Sequence, residues 1–181
     1  EVMLQQTQVT TVIPYFEAFT SYFKDVVALA DAAQADVMTL WSGLGYYSRA
    51  RNLHRCAQRI RDEFAGVFPT DFDQLQSLPG IGRSTAAAIS VFAMGQRQAI
   101  LDGNVKRVFC RRFGVEGELT RSKTINELWA LAEQHLPEEK LIAYTQGLMD
   151  LGAIGCTRTR PFCEQCPVRA GCLALAQGRV T

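Results

Sequence analysis

Apolar residues recur three and four positions apart along most of this chain, and the apolar–polar alternation that marks strands is nearly absent. Glycine and proline divide the helical stretches. Residues 1–6 (EVMLQQ) read as a short helical piece, with Thr7 as a cap or joint. Val9, Val12, Ile13, Phe16, Phe19 and Phe23 form one stripe and predict a helix with a core-facing side, Pro14 lying near enough to its start to be tolerated. A short helix over 36–41 closes at Gly43-Leu44-Gly45, and Tyr46 opens a long one reaching Phe64. There Arg51, Arg55 and Arg59 share one face, while Leu53, Ala57 and Ile60 occupy the other. Thr70 is expected to cap a short helix that turns Phe72, Leu75 and Leu78 inward. Helices follow from Arg83 to Met94, behind the cap Asp102-Gly103-Asn104, from Ser122 or Lys123 to Leu136, and over 141–151. The pattern predicts an all-α chain of about ten helices with short connections. A soft boundary falls near Leu101. It separates a helical bundle over 1–101 from a helix group over 102–181, and the cleft between them is the natural place for a ligand.

Composition narrows this picture. With 181 residues, 48% of them apolar, the chain can bury a substantial core, and no apolar run reaches the length of a membrane span. Nothing reads as a signal peptide, and the absence of an initiator Met before Glu1 suggests trimming at the front. A net charge of +1 does not announce a nucleic-acid partner. The distribution says more. Arg49, Arg51, Arg55, Arg59 and Arg61 crowd one segment, and Lys106, Arg107, Arg111 and Arg112 another. Each cluster can serve as a phosphate footprint or as a plain solvated helix face.

Of six cysteines, Cys56 and Cys110 stand alone in apolar-periodic segments and are expected to pack inside. Cys156, Cys163, Cys166 and Cys172 make C-x6-C-x2-C-x5-C, a spacing that lets four thiolates enclose one ion or one cube-shaped cluster. Spacing alone leaves zinc and a 4Fe–4S cluster both open. The single close pair, Cys163 and Cys166, and Pro167 behind it lean toward the cluster.

The stretch Leu78–Arg112 carries the remaining chemistry. Gly80 and Gly82 flank Ile81, then Arg83-Ser84-Thr85 opens a helix whose first amides lack internal partners. Together these donors suit a phosphate, or they simply make a tight turn. Glu1 can be an acid favoured at a helix N-terminus, and Asp102 an N-cap.

LPGIGRSTA followed by ILDGNVKRV resembles the helix-hairpin-helix DNA glycosylases, most closely the MutY-type adenine glycosylases, and the resemblance extends over nearly the whole chain. It implies a six-helix bundle holding the hairpin, plus an iron–sulfur helical domain. It implies that Glu1, in EVMLQQTQV, is the general acid, and that Asp102 stabilises the sugar cation, directly or as a transient covalent adduct. Asn104 is implied to orient water or Asp102. Gly80, Ile81 and Gly82 are implied to hold a backbone phosphate. Gln6, Thr7, Leu44 and Tyr46 are implied to probe and wedge the helix around 8-oxoguanine, and Gln146 to lie near the adenine. Core packing is the plainer reading of Leu44 and Tyr46. The four late cysteines match a 4Fe–4S loop beside which Arg158, Arg160 and Arg169 face phosphates.

Ser84 stands where the endonuclease III type carries a nucleophilic lysine, which implies a monofunctional, hydrolytic enzyme. The expected partner is double-stranded DNA with adenine opposite 8-oxoguanine or guanine, the expected state a monomer, and the expected location the cytoplasm. MutY proteins also carry residues ahead of the acid, and a C-terminal domain resembling the 8-oxo-nucleotide hydrolases. Neither is in this sequence. The alternatives are a pyrimidine or thymine mismatch glycosylase, an endonuclease III-like lyase, and a non-catalytic DNA-binding module with a structural metal.

Overall fold

A computed structural model describes residues 1–180. Every regular element among them is helical, and no helix is long and apolar enough to cross a membrane. The chain divides into two compact units, Glu1–Ala86 and Ala87–Thr181.

The first unit opens with a 3-10 turn, Val2–Leu4, followed by α1 (Val9–Tyr22), α2 (Val26–Asp31), α3 (Gln34–Leu40), α4 (Ser48–Phe64), α5 (Phe72–Ser77) and the start of α6 (Arg83–Met94). Its core gathers Phe19, Phe23, Val37, Trp41, Ala57, Ile60 and Leu75, with α2 and α3 packed on α4. The α1 stripe is narrower than its sequence pattern. Val12, Phe19 and Phe23 are buried, whereas Val9, Ile13 and Phe16 are 60%, 49% and 57% exposed. At 100° per residue the six positions span roughly 120° of the helix, and only one edge of that arc meets the core. Pro14 sits beyond the first turn of α1, inside the helix. Asp71, not Thr70, caps α5, its Oδ1 accepting from the Gln74 N–H at 2.9 Å. The pattern gives no sign of α2, too short at six residues for periodicity to register; it starts at Asp25, whose Oδ1 accepts from the Ala28 N–H at 2.7 Å.

The second unit holds the end of α6, then α7 (Gly103–Phe113), α8 (Ser122–Gln134), α9 (Leu141–Asp150), a π-helical turn (Leu151–Gly155), a 3-10 turn (Cys163–Gln165) and α10 (Leu173–Ala176). α7 is the hub, touching α8, α9, the π turn and α10. Its buried side is Val105, Val108 and Phe109.

Candidate active site

In the first unit, the N-terminal segment is held by an arginine. Glu1 is exposed and its carbonyl accepts from the Leu4 N–H at 3.0 Å, closing the 3-10 turn. Behind that turn lies Arg49, at 7% exposure. One of its terminal nitrogens donates to the carbonyls of Val2 (3.2 Å), Met3 (2.6 Å) and Gln5 (2.6 Å). The other donates to Thr7 Oγ1 at 2.9 Å and to the Gly45 carbonyl at 3.3 Å. The guanidinium lies over the rings of Trp41 and Tyr46, 5.4 and 5.3 Å from their centroids. Burial lowers its pKa, with Tyr46 opposing.

Irregular backbone explains this arrangement. The carbonyls of 2, 3, 5 and 45 belong to no long helix, and buried carbonyls need donors. The planar fork of arginine supplies several at once. Arg49 is therefore withdrawn from the phosphate-facing cluster expected from its spacing. Arg59 and Arg61 are largely committed too. Arg59 bonds Glu63 (2.8 Å) and the Ser77 carbonyl (2.6 Å), and Arg61 pairs with Asp31 (2.6 Å) and Asp62 (2.7 Å).

The same unit presents the residues expected to read the lesion. Leu44 is buried and Tyr46 is 58% exposed. Tyr46 and Gln6 both have left-handed backbone, φ 47° and 56°. The Gln5 side chain donates to Thr85 Oγ1 (3.1 Å) and the Gly80 carbonyl (3.4 Å), tying this segment to the hairpin. At Gly80, φ is +79° and a Cβ would come 2.8 Å from Asn52 Cβ, so glycine is required twice over. Ile81 is buried, its N–H donating to the Leu78 carbonyl at 3.1 Å; Gly82 is exposed and Ser84 half-buried.

In the second unit, Asp102 caps α7, its half-buried carboxylate accepting from the Val105 N–H at 2.7 Å. Asn104 Oδ1 accepts from Arg107 at 2.9 Å, and Arg107 also reaches the carbonyls of Gly152 and Cys156 (2.8 Å for the latter). Gly152 lies against this corner. A Cβ there would fall 2.6 Å from Asn104 Cβ and 3.1 Å from its backbone carbonyl. Gly152→Ala must therefore displace α7 or the π turn, and is expected to cost about 1–3 kcal/mol in urea unfolding. Gln146 is exposed, donating to Asp150 at 2.8 Å.

The four late cysteines line one cavity together with Arg111 and Phe162. Arg111 donates to the carbonyls of Thr157 (2.7 Å) and Arg158 (2.9 Å) and approaches Cys156 Sγ at 3.3 Å. Arg112 donates to the Gly171 carbonyl. The second basic cluster thus serves largely as internal donors to an irregular loop, while Arg158, Arg160 and Arg169 are exposed. Burial, then the neighbouring thiols Cys156, Cys166 and Cys172, raise the pKa of Cys163. Among the described residues, no three Cys, His, Asp or Glu side chains come close enough to hold a single ion. Cys56 is buried as expected, with burial raising its pKa to about 11.

The family profile described as HhH-GPD superfamily base excision DNA repair protein matches residues 1–134. The chain belongs to that superfamily. Among its relatives, an adenine DNA glycosylase of Buchnera aphidicola subsp. Schizaphis graminum is 45% identical over 174 residues, 96% of this chain and 50% of that protein. The Homo sapiens adenine DNA glycosylase is 43% identical over 175 residues, 96% of this chain and 32% of that protein. The chain spans half or less of the length of these two relatives. The solved structure of a thermostable thymine-DNA glycosylase superposes on this HhH-GPD chain with a TM-score of 0.87 at 27% identity, covering 97% of this chain and 81% of that one.

Proposed function

We propose that this chain is the catalytic part of a monofunctional DNA glycosylase that removes adenine mispaired with 8-oxoguanine or guanine. The match to adenine DNA glycosylases, at 45% identity across 96% of the chain, carries this reading. The thymine-DNA glycosylase fold fits just as much of the chain, 97%, but at only 27% identity. Adenine in a duplex is stacked and must be extruded before any side chain reaches its glycosidic bond. Glu1 then delivers a proton to N7 while the bond from the sugar C1′ to N9 breaks. Asp102 stabilises the positive charge left on the sugar. Water adds to C1′ and surrenders its proton, leaving free adenine and an abasic site, with Asn104 orienting the water or Asp102. The hairpin Gly80-Ile81-Gly82 holds a backbone phosphate, Gln6, Thr7, Leu44 and Tyr46 read the opposite base, and Gln146 faces the adenine. Ser84 has no amine to attack the sugar, and Arg83 stays protonated, so no efficient strand-cleaving step follows.

The cysteine loop fits a 4Fe–4S cluster better than one zinc ion. The single close pair, Cys163 and Cys166, and the Pro167 behind it lean toward the cluster. When bound, the cluster supplies positive charge that closes the loop; Arg111 and Arg112 hold the same loop from α7. The protein acts as a monomer on double-stranded DNA, in the cytoplasm.

The test is a duplex with adenine opposite 8-oxoguanine, with free adenine and strand breakage measured in parallel. Adenine release without breakage is expected. Glu1→Gln, unable to donate the proton, is expected to lower release about 10²–10⁴-fold. Breakage at the rate of base loss would instead indicate a lyase, and release of thymine from a thymine·guanine duplex the thymine glycosylase.

A further inference from the structure

Arg49 has an environment that the proposed reaction does not yet use. It is buried, no carboxylate pairs with it among the described residues, and its Nε–H has no partner. A buried guanidinium without a counter-ion is a poor device for stability alone. Its bonds are distributed with a pattern. They go to the carbonyl before Gln6 and the hydroxyl after it, and to the carbonyl before Tyr46. Gln6 and Tyr46 are both exposed and both left-handed, a conformation that costs a bulky side chain free energy and persists only where the surroundings enforce it. The Trp41 Nε1–H reinforces the second segment, donating to the Gly45 carbonyl at 3.0 Å. Two further Arg49 bonds, to Val2 and Met3, hold the turn that carries Glu1.

We propose that Arg49 is a positioning residue that fixes the Glu1 turn, Gln6 and Tyr46 as one rigid piece, so that the base opposite the adenine controls where the acid sits. This rests on the adenine glycosylase reading. Arg49 touches neither base; it acts through the backbone on both sides of the residues that do. Lysine keeps the charge but loses the fork that spans both segments.

The test is Arg49→Lys, with two readouts. Amide exchange is expected to rise together over 2–7 and 43–46 while α4 stays protected. Single-turnover adenine release is expected to lose its preference for 8-oxoguanine over guanine, the ratio of the two rates falling about tenfold or more. Unchanged exchange in either segment overturns the proposal, as does an equal fall in both rates with the ratio preserved. If the unsubstituted protein releases no adenine from either duplex, the glycosylase reading fails, while the exchange result still decides whether Arg49 locks the two segments. Should Arg49→Lys not fold, Trp41→Phe removes the second hold on Gly45; it is expected to loosen 43–46 and reduce the same ratio, and an unchanged ratio overturns the proposal.

Discussion

Asp102→Asn is expected to lower adenine release about 10²–10³-fold, the cost of removing one group aimed at charge developing in a transition state. It is expected to leave the fold in place. The two roles of Asp102 separate at this substitution. As an N-cap, Asp102 needs only an oxygen to accept from the Val105 N–H, and asparagine caps about as well as aspartate. What asparagine lacks is the negative charge. That charge contributes about 0.3–1 kcal/mol at a helix N-terminus, or roughly 1–4 °C of melting temperature at this chain length. In the proposed mechanism it is the whole of the residue's contribution against the sugar cation. Asp102→Ser gives a second capping side chain without charge and is expected to behave alike. Stopped or quenched single-turnover assays beside thermal melts read both effects. If the Asn variant keeps its rate, Asp102 is a cap and nothing more, and the proposed mechanism loses its second carboxylate.

Asp102 also marks how far the sequence could be read. Local rules worked where a single short-range contact decides the outcome. The Asp102 cap, the left-handed Gly80, the course of α7 and the end of α4 at Phe64 all follow from neighbours within a few positions, whereas α4 begins at Ser48 and leaves the left-handed Tyr46 outside it. That the four late cysteines would line one cavity was legible for the same reason. Reading failed where the deciding partner is remote or where a pattern is broader than its contact. Val9, Ile13 and Phe16 share the helical arc of Val12, Phe19 and Phe23, and nothing in spacing tells which edge of the arc meets other helices. Arg49 was the larger miss. Beside Arg51 and Arg55 it looks like one more surface cation, because its acceptors at residues 2, 3, 5 and 7 lie more than forty positions away. The bulky, positive-φ Tyr46 three residues earlier was the available hint, yet φ is not visible in sequence. Arg107 and Arg111 repeat the lesson, spending their donors on carbonyls of a loop some 45–49 positions on.

On the proposed 4Fe–4S reading, loss of one of the four late cysteines is expected to release most of residues 156–180. The segment has little else to hold it. Ala174 is its one fully buried apolar residue among those described, while Phe162 and Leu173 are 62% and 44% exposed. Ordering backbone costs about 1–2 kcal/mol per residue, a sum over such a length that a few carbonyl bonds from Arg107, Arg111 and Arg112 cannot offset. Four thiolates closed on a cluster can, since metal binding of this kind is itself folding free energy. Cys166→Ala therefore removes more than one contact: it takes away one of the four sulfurs on which the proposed cluster depends. The expected result is loss of the visible absorbance of an iron–sulfur cluster, together with new protease cleavage between Cys156 and Arg179. Helices α7, α8 and α9 should stay protected, because Val105, Phe109 and Leu128 in their core do not line the cavity that the cysteines share. Cys110→Ala is the control, since that thiol lies outside the four and is expected to change neither signal. A Cys166→Ala protein that keeps its protease resistance would show that the arginines suffice, and the cluster would then no longer be the element that closes this unit.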